Sequence, residues 1–137
     1  MSFSNEFLYD FKPVYEGILM AKDVKPERAV VEVIDEEQEG AGMFEPAGAL
    51  EVLEQIGDDV NTLTIYTDRA AYFREFAETM YEKNGLVSLI VSKKRLGLAK
   101  KTVGCSSIFL FDFEWNSALY EKQIALGKHY IPIHKKT

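Results

Sequence analysis

The stretch LTIYTDRAAYFREFAETMYEKNGLVSLIV, residues 63–91, fixes the kind of fold. Leu63–Tyr66 and Leu86–Val91 are short runs rich in β-branched and aromatic residues, the composition of strands. Between them Phe73, Phe76, Ala77 and Met80 recur at i, i+3, i+4 and i+7, which predicts a helix over Arg69–Asn84 with one apolar face. Asp68 is placed to cap its start and Gly85 to end it. Two strands joined by a helix of this length form a parallel βαβ unit.

The same alternation continues on either side. Val30–Ile34 and Ile108–Phe111 read as strands, and Tyr130–Ile133 as a weaker fifth whose Pro132 assigns it to a sheet edge. A helix is expected from Pro46, with Ala49, Val52, Leu53 and Ile56 on one stripe and Gly57 closing it. Ser92 is placed to cap a short helix carrying Leu96, Ala99 and Val103, with Gly97 inside it, and Asn116 to cap one ending at Gly127. Near the amino terminus Phe7, Phe11, Val14 and Ile18 are helically spaced, and Pro13 either kinks that segment or marks its start.

The expected fold is therefore a single three-layer α/β domain over residues 1–137, Rossmann-like or flavodoxin-like, with a mostly parallel sheet of four or five strands and helices on both faces. Leu86–Val91 and Ile108–Phe111 lack polar alternation and read as central strands, whereas Thr62 and Thr64 leave one face of the Leu63–Tyr66 strand less protected. The expected core comprises Val31, Val33, Leu63, Ile65, Leu89, Val91, Phe109 and Phe111 under the Arg69–Asn84 helix.

Composition narrows the function classes. At 137 residues, 47% hydrophobic and 28% charged, the chain can bury one core without disulfides or a metal. A net charge of −6 argues against nucleic acid as a partner, because phosphate affinity comes from Lys and Arg. The single Cys105 cannot close an internal disulfide and suits a reducing compartment. Glu6 and Asp10 stand where a secretory signal needs basic residues, and no apolar run approaches a membrane span, so a cytoplasmic protein without membrane partners is expected.

No cofactor is expected. The turn after Tyr66, Thr67-Asp68-Arg69, has no glycine to let a pyrophosphate approach and sets a carboxylate where the anion would lie. Ser92-Lys93-Lys94-Arg95 has charge suited to a ribose 2′-phosphate but lacks the glycine turn, and no Walker-type loop is present. Val30–Glu37, an apolar strand followed by acids, is similar to the opening of a response-regulator domain. That likeness stops at Ser92, which ends the third strand where such a domain needs its phosphoacceptor aspartate.

Three predicted strands end in aspartate, at Asp35, Asp68 and Asp112, with Glu36 and Glu114 nearby. In a parallel sheet these ends share the edge where α/β proteins bind ligands, and converging carboxylates there hold Mg²⁺. The plainer reading makes Asp68 a helix cap and places Asp35, Glu36 and Asp112 in solvated loops and turns, and it is preferred; no metal site is expected. The basic cluster formed by Lys93, Lys94, Arg95, Lys100 and Lys101 opposes an acidic one at residues 32–39, and is either a site for an acidic or phosphate-bearing partner or a solvated face. The candidate ligand-binding residues are Asp35, Asp68, Arg69, Lys93, Lys94, Arg95 and Asp112.

Other chemistry is weakly signalled. His129 and His134 lie five apart on an extended segment, facing opposite sides, and read as exposed terminal residues, not a chelating pair. Cys105, Ser106 and Ser107 sit in no nucleophile motif, and Tyr66, Tyr72, Tyr81 and Trp115 read as core aromatics before cleft-lining ones. The expected function is a small non-catalytic binding or regulatory module acting through a protein or a small anionic ligand. The rival is a Mg²⁺-dependent phosphoryl-transfer or hydrolytic enzyme with Asp35, Asp68 and Asp112 as metal ligands.

Overall fold

The computed structural model describes residues 10–36, 48–98, 108–114 and 128–133. Five strands, β1 (Val30–Ile34), β2 (Thr62–Tyr66), β3 (Ser88–Val91), β4 (Ile108–Asp112) and β5 (His129–Pro132), form one sheet in the order β3-β2-β1-β4-β5. Every neighbouring pair is parallel. This α/β sheet follows the Rossmann strand order and not the flavodoxin order, so its direction of winding reverses between β1 and β4.

Strand alternation divides the side chains between two faces. Val31, Val33, Leu63, Ile65, Phe109, Phe111 and Ile131 point to the face covered by three helices, α1 (Lys12–Ala21), α2 (Ala49–Ile56) and α3 (Ala70–Asn84), and form the main core with them. Ile34, Tyr66, Leu110 and Tyr130 point the other way and pack with Leu96, which lies in a 3₁₀ segment, Lys93–Leu98. The expected Ser92 helix is thus 3₁₀ as far as it is described, and its continuation, like the Asn116–Gly127 helix, lies outside the described residues.

Pro13 marks the start of α1: its fixed φ and missing N–H suit the first helical turn. Phe11 packs edge-on against Phe111 at 5.6 Å, and its backbone N–H donates to Gln55 Oε1 on α2. At the end of α3, Gly85 adopts φ 70°, a left-handed conformation that lets its N–H and that of Leu86 return to the Tyr81 and Met80 carbonyls.

Three expectations require correction. β3 is an edge strand, not a central one, and its register sends Leu89 to solvent at 58% exposure while Ile90 packs on the main core; Val91 joins the second cluster. An unbroken apolar run does not distinguish a strand buried on both sides from one at an edge. The second helix begins at Ala49 and not at Pro46, because Gly48 is extended, with φ −104° and ψ −161°. Arg69, not Asp68, is the residue preceding α3. Pro132 does fall on an edge strand, as its missing N–H requires.

Candidate functional site

The carboxyl ends of β1, β2, β3 and β4 bring the sequence-derived candidates to one edge, and each acid there has a different partner. Asp35 follows β1 and is fully buried. Its Oδ2 accepts from Arg69 Nε at 2.7 Å and from the Thr67 hydroxyl at 2.7 Å, and its Oδ1 accepts from Arg69 Nη2 at 2.8 Å. The Thr67 hydroxyl also accepts the Arg69 N–H, which fixes the backbone that carries the guanidinium. Arg69 lies 4.0 Å from the centre of the Tyr72 ring and 3.6 Å from Glu36 Oε1. The hydrogen bond to Asp35 raises the Arg69 pKa above its ordinary value against the opposing effect of burial.

Glu36 takes a position that sequence reasoning assigned to a solvated loop. Its Oε2 accepts the Ala49 N–H at 3.1 Å, so a carboxylate of the chain itself occupies the N-terminus of the helix that follows β1. That is the place where dinucleotide-binding folds hold a pyrophosphate. Gly48 permits the approach: a Cβ there would sit 1.9 Å from Glu36 Oε1. The Gly48 N–H is taken by Glu51 Oε2 at 3.0 Å, half of a capping box that the Gly-x-x-Glu spacing signals. Nothing local in the sequence signals the Glu36 contact.

The remaining acids are engaged separately. Asp68 is exposed and accepts from the Ser92 hydroxyl at 2.7 Å, which ties the turn after β2 to the end of β3 in place of the expected cap. Asp112, fully buried, accepts the Glu114 N–H at 2.9 Å and a hydrogen bond from the Tyr130 hydroxyl. Lys93 pairs with Glu114, whereas Lys94 and Arg95 are exposed. Glu32, which lies in β1 and begins the acidic stretch at residues 32–39, is buried in an ion pair with Lys128 at 2.6 Å. The two are 96 positions apart, beyond any local pattern.

Three hollows are lined by other residues. One of about 320 Å³ separates α2 and α3 beside Tyr72 and Phe76, and one of about 290 Å³ runs between Tyr81 and Val87. The third, about 260 Å³, opens beside Ile18, Lys22, Phe109 and His129. None of the three is lined by Asp35, Asp68 or Asp112. His129, expected to be exposed, is half-buried and stacks on Phe109 at 5.2 Å; His134, Cys105, Ser106, Ser107, Trp115, Lys100 and Lys101 lie outside the described residues. Among the described residues no group of three or more His, Cys, Asp or Glu side chains is arranged to hold a metal ion, and no helix is long and apolar enough to cross a membrane.

The fold and this edge define an α/β protein of Rossmann-type strand order whose strand-end acids are tied into its own loops. Set against family models, curated proteins and solved structures, the chain matches none.

Proposed function

We propose that this chain is a small non-catalytic binding or regulatory module that acts through a protein partner or a small anionic ligand. The observation that supports this reading is the distribution of the strand-end carboxylates. Asp35 is held by Arg69 and Thr67, Asp68 by Ser92 and Asp112 by Tyr130, so they face three sets of partners and not one cavity. A Mg²⁺ site built from them would have to displace a bidentate guanidinium and a buried tyrosine hydroxyl. The edge serves as a clasp between loops, and recognition falls to the surface, where Lys94 and Arg95 supply positive charge.

Thermal unfolding of the parent, Asp68→Asn and Asp112→Asn in millimolar Mg²⁺ or Mn²⁺, at matched ionic strength, tests the reading. No saturable stabilisation is expected. A saturable rise in Tm abolished by both substitutions would overturn it in favour of a metal-dependent phosphoryl-transfer or hydrolytic enzyme.

A further inference from the structure

We infer that the hollow between α1 and the start of β5 is a binding site for a small organic carboxylate, whose charged head meets Lys22 and His129 and whose aliphatic body lies against Ile18 and Ile131. The inference goes beyond the binding-module reading, whose positive charge lies at Lys94 and Arg95. It uses none of the strand-end acids, so either can fail alone. Two periodicities build the hollow. On α1, Ile18 stands one turn before Lys22, the residue at which the helix ends, so both lie on one side of it. On β5, His129 and Ile131 alternate onto one face, that of the main core, and His129 pairs in register with Phe109 of β4. The space beside these residues is about 260 Å³. Ile18, Phe109 and Ile131 are buried, Lys22 is exposed and His129 is half-buried, so the inner wall is apolar and the ionisable groups stand nearer water.

Charge gives the hollow its sign. The ionisable residues that line it are Lys22, Lys128, His129 and Tyr130, with no acid among them, on a chain of net charge −6. Lys128 is neutralised by Glu32, and the Tyr130 hydroxyl donates to Asp112. Asp23, next to Lys22 in sequence, is exposed and does not line the hollow. What remains is the Lys22 ammonium and the His129 ring, neither of which has a hydrogen-bond or ion-pair partner among the described residues. Burial first, and the Lys22 charge second, hold the imidazole's pKa below its ordinary 6.5. An anion placed between the two groups offsets that repulsion and gives the ammonium a partner.

The chemistry of the two donors selects the head group. The His129 ring lies on Phe109 at 5.2 Å with 27° between the planes, so one face is covered and the ring nitrogens donate or accept at its edge. One ammonium and one imidazole N–H match the two oxygens of a carboxylate. A phosphate dianion calls for more positive charge, or for the fork of an arginine. The volume sets the body. It falls below the roughly 300–1,000 Å³ of sites for drug-sized ligands, so a short chain fits, and the Ile18 and Ile131 walls suit an aliphatic one.

Calorimetric titration of the full chain with hexanoate, hexanol and hexylamine tests the assignment. Hexanoate is expected to bind saturably, and the uncharged and cationic probes about tenfold more weakly or not at all. Lys22→Glu, at an exposed position where circular dichroism is expected to show an intact fold, should weaken hexanoate about tenfold, the loss of one charge-assisted hydrogen bond. Lys94→Ala combined with Arg95→Ala is expected to leave hexanoate unaffected, which separates this site from the basic surface. Because a bound carboxylate offsets the Lys22 charge, it favours the protonated imidazole. Hexanoate affinity is therefore expected to rise as the pH is lowered from about 8 to about 6, where an ordinary carboxyl group is still ionised. His129→Gln keeps a donor and is expected to flatten that rise. No saturable binding of hexanoate up to about 10 mM, equal binding of hexanol, or full affinity in Lys22→Glu would overturn the inference. So would a pH profile that His129→Gln leaves unchanged, or a loss in the Lys94 and Arg95 double variant as large as that in Lys22→Glu.

Discussion

The Arg69 guanidinium and the Asp35 carboxylate meet in a two-point hydrogen bond, at 2.7 and 2.8 Å, that joins the turn after β2 to the end of β1. The geometry is the one in which Arg and a carboxylate match best, and Lys cannot reproduce it. The Asp35 side chain has no exposure to water and that of Arg69 only 20%, so the pair's value lies in what happens when one member is missing.

Arg69→Met is expected to destabilise the fold by about 3–5 kcal/mol, the cost of leaving a buried carboxylate uncompensated. Asp35→Asn combined with Arg69→Met removes the stranded charge and is expected to cost less than the sum of the two single changes. Chemical denaturation of all four proteins measures both quantities. Strict additivity would show that the pair contributes no coupling.

Gly48→Ala is expected to cost about 1 kcal/mol, the value of a lost helix cap. The backbone there is accessible to alanine, so the cost comes from Glu36, whose carboxylate must swing away from a Cβ placed 1.9 Å from its Oε1. In a Glu36→Ala background the same change is expected to be nearly silent. An undiminished penalty in that background would place the strain elsewhere.

Element types were legible in residues 63–91 and in β1 and β4 because β-branched runs and i, i+3, i+4 spacing are local signals. The parallel arrangement followed from the alternation of the elements, and Pro132 marked an edge because it lacks a donor. Strand order was not legible: Leu86–Val91 and Ile108–Phe111 have similar composition, yet β4 is buried along its length and β3 is half open. At the candidate site the residue types were visible but their partners were not. Asp35 pairs with Arg69 34 positions away, Glu32 with Lys128 96 away, and Glu36 with a helix start 13 away, all contacts that the fold creates.

Phe76→Ala is expected to cost about 3–5 kcal/mol by combining lost transfer energy with a residual cavity. Phe76 is 7% exposed, on the face of α3 that carries Phe73 and Met80 into the main core. Because its ring also borders the groove between α2 and α3, neighbours on that side can relax, which favours the lower end of the range. Urea denaturation gives the answer, and a loss under about 1 kcal/mol would match an exposed site instead.

His129 makes stability depend on pH in a direction that can be worked out. Burial is the larger influence and the nearby Lys22 ammonium the smaller, and both hold the imidazole's pKa below its ordinary 6.5. The groups facing it are Lys22, the residue that follows α1, and the Phe109 ring from β4, while the adjacent Lys128 is engaged by Glu32. Above pH 6.5 the histidine is neutral in both states and the fold keeps the full benefit. As the pH falls through 6.5 the unfolded chain takes up its proton first, so stability declines, and the decline ends once the folded pKa is passed. His129→Phe keeps a ring stacked on Phe109 and removes the titration. The stability of this variant relative to the parent is expected to rise as the pH is lowered from above 6.5 and then to level off, read as the difference in urea midpoints. Lys22→Gln should retain a smaller version of the parent's decline, since burial persists. A parent-to-variant difference independent of pH across that window would mean that the His129 ring is hydrated in the folded chain.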